Sequence, residues 1–252
     1  MNLMYHQIGH FYSFFETSES DLDQISQLIV NTITSESKAV LDIGSGPGDI
    51  ALQLARRGFT ITCVEPSPSM RSVFLSRLND ERSMDPKITL LPGNIETLDL
   101  KQHYPIVLVR SVLFLLKDLG QQIRALRSIQ RHIGVNGKAI ANFVIKRDTK
   151  FKEKKLIGRR TLGESEYLHY SQSRYEGNVK IVTWIFEMWH QGKCIESHKE
   201  DFRVLENSFE EIKCILDQTG LRMIDSYENF SGKNFSTDRS ESLIAVLENK
   251  AL

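Results

Sequence analysis

The stretch Val40-Leu41-Asp42-Ile43-Gly44-Ser45-Gly46-Pro47-Gly48-Asp49, followed by an apolar run that ends in Glu65, constrains this chain more than any other. It reads as a buried strand, a glycine-rich turn, a helix, a second strand and then an acid. Three glycines at alternate positions leave the turn without side chains, so a ligand can come close to the backbone. An acid roughly twenty residues further on is placed to take two ribose hydroxyls. The unit is therefore a βαβ crossover, and its ligand contains a nucleoside.

The rest of the chain extends that unit. Leu22, Ile25, Leu28, Ile29 and Ile33 predict a helix over 21–34, with Ser20 or Asp21 as cap. Strands are expected at 39–43, 60–64, 88–91, 106–109 and 138–144, with helices at 48–57, 67–78 and 120–133. Pro68 suits the first turn of its helix, where a missing N–H costs nothing. This alternation implies a parallel sheet with helices on both faces. After Val144 the pattern changes. Residues 165–176, 179–190 and 193–204 read as long aromatic strands joined by Gly177-Asn178 and Gln191-Gly192, turns that favour antiparallel hairpins. A helix at 208–219 and strands at 221–227 and 243–247 complete the chain. The hairpin block thus reads as an insertion into the sheet domain.

Composition removes several classes of function. Lys+Arg and Asp+Glu are both 32 in 252 residues, so the basic excess of a nucleic-acid-gripping chain is missing. Cys63, Cys194 and Cys214 form no CxxC, so neither a disulfide framework nor a zinc site is expected. His6 and His10 stand four apart with no third ligand nearby, and no metal is expected. With no signal-like N-terminus and no long apolar run, a cytoplasmic location is expected.

The glycine pattern also discriminates among nucleotides. A dinucleotide fingerprint needs a third glycine where Asp49 stands, and a phosphate loop needs Gly-Lys-Ser/Thr. Asp42, just before the first glycine, would repel a pyrophosphate and suits a cationic ligand. VLDIGSGPGDIALQLARRGFTITCVEPSPSM resembles the first motif and acidic second strand of class I S-adenosylmethionine-dependent methyltransferases. LLPGNIETLDL, IVLVRSVLFLL and RALRSIQRHIGVNGKAIANFV resemble later segments of that family in order and spacing. The resemblance implies a Rossmann-like, seven-stranded, mostly parallel sheet with helices on both faces and its last strand antiparallel. An antiparallel β insertion would follow strand 5. It also implies a cofactor domain from 1–150 and 205–252, with an N-terminal helical lid, and an acceptor-binding insertion at 151–204.

By the same resemblance, Gly44, Ser45 and Gly46 pack against the methionine and ribose of S-adenosylmethionine, with Asp42 near its amino group. Glu65 accepts the ribose hydroxyls, and Pro66 or Met70 lies against the adenine. Asn94 and Ile95 meet the adenine edge, and Arg110 lends a backbone carbonyl to the ammonium; the product is S-adenosylhomocysteine. Asn94 replaces a more usual aspartate. Tyr104-Pro105 replaces an acid often found at the start of the fourth strand, which leaves no carboxylate there.

The tail resembles small-molecule members of the family, including amino-sugar N-methyltransferases. The implied reaction is in-line methyl transfer to a small acceptor, at nitrogen in preference to oxygen; a peptide or protein amine methyltransferase and a non-catalytic cofactor-binding scaffold are the alternatives. Such chemistry needs positioning above all, and a base only where the acceptor must lose a proton. Tyr12, His10 and Tyr170 are the weak candidates for that base. Tyr5, His6, His10 and Tyr12 could form a lid, or simply belong to a docked helix. Tyr12, Tyr167, His169, Tyr170, Arg174 and Trp184 are the candidate acceptor contacts, against the plainer reading of an ordinary two-faced strand. The basic run Lys146–Arg160 could attract a phosphate-bearing acceptor, or be a solvated connector. Expected partners are that small molecule and a second copy of the chain; neither nucleic acid nor membrane is expected.

Overall fold

The computed structural model describes residues 9–15, 18–80, 87–147, 152–177 and 179–250. The chain opens with α1 (Gly9–Phe14) and α2 (Glu19–Thr32), then alternates β1 (Ala39–Ile43), α3 (Asp49–Arg56), β2 (Thr60–Val64), α4 (Pro68–Asp80) and β3 (Ile88–Leu91). It continues through β4 (Tyr104–Val109), α5 (Leu119–His132) and β5 (Ile133–Ile145). Four long strands follow: β6 (Lys152–Leu162), β7 (Ser165–Glu176), β8 (Val179–His190) and β9 (Lys193–Val204). The short β10 (Glu206–Asn207), α6 (Phe209–Gln218), β11 (Leu221–Tyr227) and β12 (Ser242–Asn249) end it.

The main sheet runs β11-β12-β5-β4-β1-β2-β3, with β10 added alongside β5. Its pairings are parallel except for β12, which runs antiparallel to both β11 and β5. This is the expected mostly parallel sheet with an antiparallel last strand. Side-chain alternation splits its core in two. Leu41, Val107, Ala141 and Phe143 pack with Leu126 and Ile129 of α5 and Ile212 and Leu216 of α6. On the other face Val40, Ile61, Leu108 and Ile140 pack with Ile25 and Ile29 of α2 and Ile50 and Leu54 of α3. Asp42 falls on that second face, at the carboxyl edge.

Helix starts follow from local capping. Ser18, rather than Ser20 or Asp21, caps α2 by accepting the Asp21 N–H at 3.2 Å, so the helix begins at Glu19. Asp118 caps α5 through the Gln121 N–H at 2.8 Å. Ser208 and Glu211 form a reciprocal capping box on α6.

The second sheet, β6-β7-β8-β9, is antiparallel throughout. It corrects one expectation: residues 152–162 are strand β6, not a connector. An edge strand tolerates charge, and a row of lysines on it hides the strand from periodicity. The turn between β8 and β9 places Gln191 at φ 47° and Gly192 at φ 75°, the left-handed pair that a two-residue hairpin requires. Among the described residues no helix is long and apolar enough to cross a membrane.

Candidate functional site

The glycine loop sits between β1 and α3, at the carboxyl edge of the main sheet. Its three glycines do different work. A side chain at Gly44 would strike Val112, and one at Gly48 would strike the Phe74 ring, whereas Gly46 has no atom near its missing Cβ. Only Gly46 therefore faces open space, and all three hold positive φ. Asp49 is committed elsewhere, in an ion pair with Arg77.

Glu65 ends β2 beside this opening and is 5% exposed. Its two carboxylate oxygens accept the Gly46 N–H at 2.9 Å and the Ser67 N–H at 2.7 Å. Each oxygen keeps a lone pair for a further donor, so the carboxylate is held flat and aimed. Burial pushes its pKa up, while these two backbone bonds and Arg71 pull it down. Asp42 is 1% exposed. Burial pushes it up to about 7, Arg110 pulls it back and Glu65 adds to the rise. Asp42 Oδ2 and Ser45 Oγ are buried without a hydrogen-bond partner. Buried polar atoms of this kind ordinarily have partners. A cationic, hydroxyl-rich ligand would supply them, and this set of acceptors fits one.

The remaining candidates are placed as follows. Met70 and Ile95 are buried, Pro66 is exposed, and Arg110 is half-buried with its charge acting on Asp42 and Tyr12. Asn94 is exposed and its Oδ1 accepts the Glu96 N–H at 2.9 Å, so one of its lone pairs holds its own turn. Tyr5 and His6 lie outside the described residues, as does the side chain of His10.

Tyr12 on α1 stacks on Trp184 with ring centres 5.6 Å apart, and its hydroxyl feels Arg110, Asp49 and Glu65. Burial raises its pKa, so the hydroxyl stays protonated at neutral pH. α1 thereby bridges α4 and the second sheet. Phe11 stacks on Phe186 at 5.7 Å, and Phe15 lies against His169 at 5.4 Å.

Strand register separates the acceptor candidates. Tyr167, His169 and Trp184 share the sheet face that meets α1. Tyr170 and Arg174 point to the opposite face, where Lys154 lies over the Tyr170 ring at 3.9 Å and Arg174 pairs with Asp201 and Glu176. The geometry thus assembles Tyr12, Tyr167, His169 and Trp184, and leaves Tyr170 and Arg174 outside that group. His169 is stacked on Phe186 at 4.0 Å, and burial lowers its pKa to about 4.

Residues 40–137 match a family model described as a methyltransferase domain. Over 105 residues the chain is 28% identical to a ubiquinone biosynthesis O-methyltransferase of Rickettsia akari, covering 42% of this chain and 39% of that protein. The match therefore spans about two-fifths of the curated relative. In fold, the main sheet with its helices and the second sheet together resemble the CcbJ methyltransferase of Streptomyces caelestis. That likeness has a TM-score of 0.78 at 18% identity and covers 97% of each chain. They also resemble CalS10, an S-adenosylmethionine-bound amino pentose methyltransferase of Micromonospora echinaspora. Here the TM-score is 0.70 at 15% identity, over 96% of this chain and 94% of the other.

Sequence reasoning missed the turn after β4. Ser111 holds φ 58° and its N–H donates to Asn142 Oδ1 at 2.6 Å. Neither residue carries a motif signal, because a strained serine and a strand asparagine look ordinary until the fold brings them together.

Proposed function

We propose that the chain is an S-adenosylmethionine-dependent methyltransferase of a small-molecule acceptor, with transfer to nitrogen in preference to oxygen. The observation that carries this reading is the buried pair Asp42 and Glu65 flanking the open glycine position Gly46, beneath a second sheet. S-adenosylmethionine would supply an activated methyl group on a sulfonium. Glu65 binds a vicinal diol through the lone pairs its backbone partners leave free. Asp42 and the Arg110 carbonyl meet the ammonium end, and Met70 and Ile95 give the base an apolar seat. Tyr12, Trp184 and the helix α1 that carries Tyr12 exclude water and hold the acceptor. Orientation of this kind is worth effective molarities on the order of 10⁵–10⁸ M, so transfer requires no strong base.

Nitrogen is preferred because the full-length fold likeness includes an amino pentose methyltransferase. The segment 151–204 acts as the acceptor-binding insertion, in a cytoplasmic enzyme. A phosphate on the acceptor would be met chiefly by Lys155, since Lys152, Lys154 and Lys180 already pair with Glu241, Glu187 and Glu206. The test is transfer of labelled methyl from S-adenosylmethionine to a panel of amino sugars, their phosphates and matched phenols. Label on amines alone is expected. Label confined to phenols would reverse the nitrogen preference, and the absence of measurable S-adenosylhomocysteine binding by calorimetry would end the reading. Glu65→Gln places an amide donor against one of two backbone N–H groups. It is expected to weaken S-adenosylhomocysteine by about thirtyfold, the equivalent of roughly 2 kcal/mol for a buried unsatisfied donor.

A further inference from the structure

Ser111 follows β4 in the left-handed region, which a residue with a Cβ enters only at a cost. Its N–H donates to Asn142 Oδ1 at 2.6 Å. Val109 pairs with Ala141, so the residues that follow, Arg110 and Asn142, stand side by side at the carboxyl edge. Asn142 is 8% exposed and is fixed on its other side by pairing with Ile244 of β12.

The turn that Asn142 holds touches three parts of the site. Val112 fills the space above Gly44 that a side chain there would need. Arg110 sets the field at Asp42 and at the Tyr12 hydroxyl. Leu115 donates its N–H to the Val112 carbonyl at 2.9 Å and packs into the Phe11–Phe186–Phe202 cluster of the second sheet. Rotating residue 111 to an ordinary φ would swing Val112 away from Gly44. The fold alone does not need this bond, because Ser111 is exposed and water could satisfy its N–H.

We propose that Asn142 is a positioning residue: it clamps Arg110-Ser111-Val112 into the floor of the site at the end away from Glu65. Its effect on ligand affinity rests on the methyltransferase reading above. The row Glu65, Gly44, Arg110, Asn142 follows the strand order β2-β1-β4-β5, with neighbouring strands about 4.8 Å apart. Asn142 thus stands three strands from the diol-binding acid, at the end where the ammonium and the reacting methyl would lie.

Calorimetry with S-adenosylhomocysteine on the full chain tests this with Asn142→Ala, Asn142→Asp, Ser111→Gly and the double variant N142A/S111G. Asn142→Ala is expected to weaken binding about tenfold. Asn142→Asp keeps an oxygen for the Ser111 N–H and should stay within about threefold of the parent. Ser111→Gly needs no clamp to hold positive φ, so it should bind like the parent and restore N142A to within about twofold. Parental affinity in N142A, or a double variant as weak as N142A, would overturn the clamp. Should N142A not fold, Ser111→Val carries the test, since a β-branched residue at that φ must weaken binding while Asn142 is intact. If the parent binds no S-adenosylhomocysteine, the functional reading fails by itself. Amide exchange at Ser111 then judges the clamp, with about tenfold faster exchange expected in N142A and parental exchange in N142D.

Discussion

Asp42 shows how a single residue can be set against the stability of its own fold. It was legible as an acid placed for a cationic ligand, but its burial was not, because nothing local says that a strand acid faces inward. Unfolded, its carboxyl ionises near 3.8; folded, burial raises this to about 7. The raised value fixes the sign. Between those limits the native state holds a proton that the unfolded chain has lost, so stability is full below the lower limit and falls as pH rises towards 7. Three pH units correspond to about 4 kcal/mol. The substitution Asp42→Asn mimics the protonated form at every pH. It is therefore expected to exceed the parent in urea unfolding at pH 8 and to match it near pH 4, while binding S-adenosylhomocysteine more weakly. An equal gap at both pH values would refute the assignment.

At the scale of elements, the sequence-based reading located most strands to the residue, including 39–43, 60–64, 88–91 and the hairpin strands at 165–176, 179–190 and 193–204. Their signal is strong because apolar runs and glycine turns are local. β6 was lost because an edge strand can be polar on both faces. The second half of the site was only partly legible, for a different reason: period two separates His169 from Tyr170, but only α1 decides which face is covered. That covering makes a prediction. His169 lies under Phe15 and against Phe186, and burial lowers its pKa from 6.5 to about 4. The folded protein keeps it neutral, so its contribution is present above pH 6.5 and lost as pH falls towards 4. Allowing for solvent near the ring, the loss is on the order of 2 kcal/mol. His169→Phe keeps the stack and removes the titration. The variant should lose less melting temperature than the parent between pH 7.5 and pH 4.5, and parallel losses would show that His169 is not buried as described.

The whole molecule depends on how the second sheet is tied back to the first, a matter of contacts far apart in sequence and therefore illegible beforehand. The returning strand β10 pairs with Val144 and Ile145, and the Lys146 N–H donates to the Asn207 carbonyl at 2.9 Å, so the exit and return of the chain lie together. Beneath them Gln122 of α5 and Asn207 exchange two amide bonds, at 3.1 and 3.0 Å, with both side chains wholly buried. Gln122 also donates to the Leu113 carbonyl at 3.1 Å, which fixes the segment following the Ser111 turn. Asn207→Leu would leave the Gln122 Oε1 acceptor and one of its Nε2–H donors stranded, at a cost of about 1–3 kcal/mol for each group. Replacing both partners by leucine removes the stranded groups and restores apolar packing, apart from the Leu113 carbonyl. The double variant should therefore be less destabilised than the sum of the singles by at least about 1 kcal/mol. Strict additivity in urea unfolding would mean that the two amides do not act as a pair. The same clamp also ties the return of the chain from the second sheet to α5 and the Leu113 segment. On the proposed assignment of cofactor contacts to β1 and β2 and acceptor contacts to β7 and β8, Asn207→Leu should weaken methyl transfer at subsaturating acceptor more than it weakens S-adenosylhomocysteine binding.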